Sequence, residues 1–157
     1  MYLAFYFSLK RINESLMVIA LLFGFLGIAA YLSSNTAFEM LSLSNLYYNA
    51  TLETTRAMYL AAGQAMLSTW QGTAFDTYYV LNAITLIIIA SVMFKSSVYS
   101  KNTATIGLIS GVLMVIPSTA GTSGFIFALA SLIPWTIFAI LVAIKFLQLG
   151  DIGTAND

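Results

Sequence analysis

Tyr78, Asn82 and Thr85 recur at i, i+4 and i+7, so on a helix they share one face. A phenol, a carboxamide and a hydroxyl donate and accept hydrogen bonds but do not change charge near neutral pH. Their chemistry is recognition rather than proton transfer. Such a stripe in an apolar run must face other helices or a wet cavity, not lipid. Two readings follow: a hydrogen bond between helices, or the lining of a small-molecule pocket. Asp76 stands just before the stripe, at the mouth of the same run. There its carboxylate either caps the helix by accepting a free backbone N–H or serves a ligand or proton, since an ionisable group in a span is a functional candidate by default. Asp76, Tyr78, Asn82 and Thr85 are therefore the candidate ligand-binding residues.

The missing residue types narrow the chemistry further. The chain has no Cys and no His, which removes thiolate nucleophiles, disulfides, iron–sulfur ligation and the commonest general base and metal ligand. No catalytic residue, metal or cofactor is expected. An intramembrane enzyme would need a carboxylate pair, and Glu39, Glu53 and Asp76 are the set on one side of the membrane. A Ser–Lys dyad has only Lys95 beside Ser96 and Ser97, adjacent in sequence at a membrane surface. Gly121-Thr122-Ser123-Gly124 lacks the Lys and the strand–helix context of a phosphate loop. It reads as a tight turn between two spans. Zero net charge leaves no basic field for nucleic acid.

The elements that must carry these residues are membrane helices. Charged residues are 8% and hydrophobic residues 60% of the chain, against about 25% and 45–50% in soluble domains. Residues 102–144 carry no charge, a length close to two helices of about 20 apolar residues each. In lipid the backbone must satisfy its own hydrogen bonds, so these pieces are helices. The expected architecture is an all-α, polytopic transmembrane helical bundle forming a single membrane domain over 1–157. It has about four spans, near 15–33, 76–94, 103–120 and 125–147, and an outer segment over 34–73.

Details within these spans set further expectations. Asn13 or Ser15 can cap the first span, with Glu14 suiting the positive end of its dipole. Ala20, Gly24 and Gly27 form a small-residue stripe that lets another helix approach, and Gly107 with Gly111 makes a GxxxG pair. Pro117 and Pro134 fall inside the third and fourth spans, where each frees a carbonyl, that of Leu113 or Ala130. Ser110 and Ser131 are placed to help satisfy them. Trp135 reads as packing and Trp70 as an interfacial anchor. Over 51–70 the pattern predicts an amphipathic helix against the outer face of the bundle, with Glu53 and Arg56 three apart and able to pair. The rival reading runs this helix on into the second span. Asn49-Ala50-Thr51 fits the glycosylation sequon, a pattern common by chance.

Lys10, Arg11, Lys95, Lys101 and Lys145 fall on one side of a four-span chain and only Arg56 on the other. The positive-inside rule then makes the Lys-rich side cytoplasmic and places both termini there. Residues 1–9 are apolar, too short to span, and precede rather than follow their basic pair, unlike a signal peptide. They read as the inner end of a helix entering from outside, or as an interfacial stub.

Three stretches carry a resemblance: Lys10-Arg11-Ile12-Asn13-Glu14-Ser15-Leu16, Ala61-Ala62-Gly63-Gln64-Ala65-Met66, and Ser100-Lys101-Asn102-Thr103-Ala104 leading into a Gly-rich span. In these the chain resembles the domain of unknown function (DUF) 4386 family, small bacterial multi-span membrane proteins. The resemblance implies the bacterial inner membrane, and a six-span family would make residues 1–9 the tail of a further span. It implies no activity. The functional expectation is a non-enzymatic membrane module that binds a lipid, an apolar small molecule or a partner membrane protein, itself included. The alternative is a small transporter or channel subunit, against which stands the lack of charge near mid-membrane.

Overall fold

A computed structural model describes residues 1–154, with side chains described to residue 150. Among the described residues the chain is all helix: α1 (Tyr2–Leu9), α2 (Glu14–Ser34), α3 (Ala37–Asn49), α4 (Glu53–Trp70), α5 (Thr73–Met93), α6 (Lys101–Leu113) and α7 (Gly121–Thr154). Three stretches are long and apolar enough to cross a membrane, one containing α2, one containing α5 and one in α7. Leu22, Leu26, Ile133 and Ile140 stay exposed on α2 and α7, as side chains facing lipid would.

The α2 helix starts where Asn13, in extended conformation, accepts the Leu16 N–H at 3.0 Å. Of the two capping candidates, Asn13 is the one used. With 21 residues each, α2 and α5 are about 31 Å long, matching the hydrocarbon core of about 30 Å. They form the central antiparallel pair. The small-residue stripe of α2 serves two neighbours. A Cβ on Gly24 would meet the Tyr2 ring of α1 at 2.8 Å, and one on Gly27 would meet Asn82 Nδ2 of α5 at 2.6 Å.

The α1 helix is no interfacial stub. Phe5 and Leu9 are fully buried. The Phe5 ring lies 6.0 Å from Phe138, 5.2 Å from Phe146 and 6.0 Å from Tyr99, so α1 inserts among α2, α5 and α7. It runs antiparallel to α2, with Tyr6 donating to Glu14 and Ser8 bonded to Tyr99 at 2.8 Å. The same contacts gather the α1–α2 loop, the α5–α6 loop and the Phe146 region of α7 at one end. Lys10, Arg11, Lys95, Lys101 and Lys145 therefore share a basic end. Lys101 closes its loop by donating to the Phe94 carbonyl.

The third expected span, 103–120, is helical only to Leu113. Its 13 residues give about 20 Å, short of the core. Pro117 stands in the turn that follows rather than inside a helix, because proline disfavours helical conformation at the residue before it. The turn expected at 121–124 occupies residues 114–120 instead. Gly121, with φ +66°, only opens α7. A glycine suits this left-handed conformation because it has no Cβ to clash. The GxxxG pair of α6 also serves two sides. A Cβ on Gly107 would strike the Phe138 ring, and one on Gly111 would strike Ile87. Pro134 does lie within α7, but Ser131 donates to Ala128 at 2.7 Å and not to the freed Ala130 carbonyl.

Beyond the end opposite the basic residues, α3 and α4 pack on each other as a hairpin. Neither contains a buried residue, and Phe38 (87% exposed) and Tyr48 (83%) stand free. The α4 helix covers most of the segment 51–70, where an amphipathic helix against the bundle was expected, but it packs on α3 rather than on the outer face of the bundle and buries no residue. It does not run into α5, since Gln71 and Gly72 break the path. Arg56 Nε donates to the Ala50 carbonyl at 2.9 Å, bracing the α3–α4 turn.

Candidate functional site

Asn82 is the tenth residue of α5 and so lies near the middle of the bundle. It is 7% exposed. An amide at that depth needs partners, because lipid supplies none. Its Nδ2 donates to the Tyr78 carbonyl at 2.8 Å, and its Oδ1 accepts from the Tyr2 hydroxyl. Gly27 leaves the space into which the amide fits. No buried side-chain nitrogen or oxygen lacks a partner among the described residues.

Two cavities flank the Tyr2–Asn82 bond, and Met1, Tyr2, Tyr78 and Asn82 line both. One, of about 270 Å³, extends toward α7 between Tyr79, Ser131, Trp135 and Phe138. The other, of about 320 Å³, opens past Leu3 and Phe25. Their walls are aromatic and aliphatic with a few hydroxyls and one amide. That composition suits an apolar molecule oriented by one or two hydrogen bonds. Tyr79 and Ser131 hydroxyls lie 3.4 Å apart on the α7 side.

The structure thus joins two of the four expected site residues, Tyr78 and Asn82, in one cavity wall. Thr85 is elsewhere: it is buried and donates to the Ala20 carbonyl of α2 at 3.3 Å, tying α2 to α5. Asp76 is about 9 Å along the helix from Asn82, at the end opposite the basic residues. It does not cap α5. Gly72 holds the N-cap position without a side-chain bond, and the Asp76 carboxylate instead accepts from Thr119 Oγ1 in the α6–α7 turn. The turn reaches Asp76 because α6 stops early. Tyr2 is the site residue that sequence reasoning missed. An apolar segment before a basic pair carries no mark that one of its residues will meet Asn82.

Glu39 and Glu53 begin α3 and α4, which lie antiparallel, and so sit toward opposite ends of the hairpin. Among the described residues no three His, Cys, Asp or Glu side chains come together to hold a metal.

No family model matches this chain, and no curated protein or solved structure is detectably similar to it.

Proposed function

We propose that this protein is a non-enzymatic membrane module that holds a lipid or apolar small molecule in the cavity beside Tyr2 and Asn82. The observation carrying this reading is the cavity of about 270 Å³ at mid-span, walled by aromatic rings and edged by the Asn82 amide. A structural hydrogen bond alone would not need open space on both sides of it. The resemblance to the DUF4386 family supports a bacterial inner membrane as its place. The five basic residues at one end support a cytoplasmic orientation for that end. Against transport stands the absence, among the described residues, of a charged group near the Asn82 level.

Native mass spectrometry of gently extracted protein tests the reading. A molecule retained by wild type and lost on Asn82→Leu supports it. Protein that never carries a bound molecule refutes it. A second reading, association with itself or a partner through the α3–α4 hairpin, draws on the exposed Phe38 and Tyr48. It is favoured if only protein–protein complexes appear.

A further inference from the structure

A larger cavity lies not at mid-span but above it, at the end opposite the basic residues. It measures about 710 Å³ between the α4–α5 break and the α6–α7 turn. Trp70, Gln71, Ser118 and Thr119 form its polar rim, and Phe125 and Leu129 its apolar wall. Tyr79 and Leu132 line both this vestibule and the mid-span cavity beneath it. Polar groups above an apolar slot, with Trp at the boundary, match the profile of a lipid at its own interface.

The charge beside the rim decides which lipid. Asp76 stands just behind the lining, half-buried, and receives the hydroxyl of the rim residue Thr119 on one oxygen. Its second oxygen has no protein hydrogen bond among the described residues. The one basic residue toward this end, Arg56, sits at the other end of α4 and donates to Ala50. The local charge is therefore negative, which repels an anionic headgroup and attracts a cation. A carboxylate oxygen accepts N–H donors, which a primary ammonium has and a quaternary ammonium lacks. Ser118, Gln71 and the Trp70 indole can donate to a phosphate.

We infer that the ligand is an aminophospholipid. Its ammonium sits on Asp76, its phosphate on the Gln71–Ser118 rim, and one acyl chain passes Tyr79 and Leu132 toward Asn82. This rests on the binding reading above and names its ligand class.

The test uses the full chain in detergent with phosphatidylethanolamine, phosphatidylglycerol and phosphatidylcholine of identical acyl chains, scored by native mass spectrometry. Wild type is expected to retain the ethanolamine lipid roughly tenfold over the other two, the scale of one charge-assisted bond. Asp76→Asn is expected to bring that ratio near one, and Asp76→Glu to restore it. Asn82→Leu is expected to weaken all three lipids alike and keep the ratio. Equal binding of the three lipids, or a preference that survives Asp76→Asn, overturns the aminophospholipid assignment. The cavity reading then still stands if Asn82→Leu strips the lipid. No binding of any lipid by wild-type protein overturns both.

Discussion

The Tyr2 hydroxyl donates to the Asn82 amide across 80 positions of sequence, and this bond fixes the tip of α1 to the middle of α5. It also places Tyr2 as the partition between two cavities. Removing the hydroxyl in Tyr2→Phe leaves Asn82 Oδ1 unpaired. Hydrogen bonds between membrane helices average about 0.6 kcal/mol and reach about 1.7. A loss in the upper half of that range is expected in reversible unfolding by SDS titration. An unchanged midpoint would show that the bond contributes nothing.

Gly27 and Gly63 should respond oppositely to alanine. A Cβ at Gly27 would stand 2.6 Å from Asn82 Nδ2, so the amide must move and strain its bond to Tyr2. Overpacking of this kind costs about 1–3 kcal/mol. Gly63, inside α4, stands open, and a Cβ there would have no neighbour within 4 Å. At that position alanine should stabilise by about 0.5–1 kcal/mol through helix propensity. Thermal melts of the two variants against wild type decide the matter.

Phe5 tests whether α1 belongs to the core. Its ring is fully buried against Phe138, Phe146 and Tyr99. Phe5→Ala is expected to cost about 3–5 kcal/mol. The neighbouring Phe7 is 64% exposed, and its alanine variant should change stability by less than about 1 kcal/mol in the same assay. Equal effects would place α1 outside the bundle.

Tyr99 links stability to alkaline pH. It lies in the α5–α6 loop at the basic end, and burial pushes its phenol above the ordinary value of 10.0, the larger effect, while the hydrogen bond with Ser8 acts the other way. The folded state thus holds this proton more tightly than the unfolded state does. Stability is fully present below pH 10 and is lost as pH rises through the folded value. Melting temperature should be flat at neutral pH and fall above about 10, with a shallower fall in Tyr99→Phe. A fall of equal steepness in both would assign the effect to other groups.

Of the four expected spans, the first, second and fourth fall on stretches long and apolar enough to cross a membrane, legible because each is a run of lipid-compatible residues of the right length, and the Asn13 cap was legible from its position before Glu14. The shared face of Tyr78 and Asn82 followed from helical spacing alone. Three features were not legible, each for a reason of tertiary contact. The α1 segment has hydrophobic residues all round, so nothing marks Tyr2 as the one that turns inward. The end of α6 depended on Pro117 acting as a stop rather than a kink, and both are open to proline in a membrane helix. Asp76 has the residue type and place of a cap, but the early turn brings Thr119 to its carboxylate first. The α3 helix escaped notice because its apolar residues show no clear period.

The shortness of α6 has a consequence for the surrounding bilayer. A helix of about 20 Å packs beside the α7 crossing of 30 residues, about 45 Å long. The first falls short of a hydrocarbon core of about 30 Å and the second exceeds it. Lipids against α6 must thin or tilt while those along α7 stay extended or the helix leans. A bilayer around the bundle would meet a short flank at α6 and a long one at α7, with the α6–α7 turn at the boundary between them. Mismatch of this kind is expected to favour thinner membranes, and partition between vesicles of short and long acyl chains would read it.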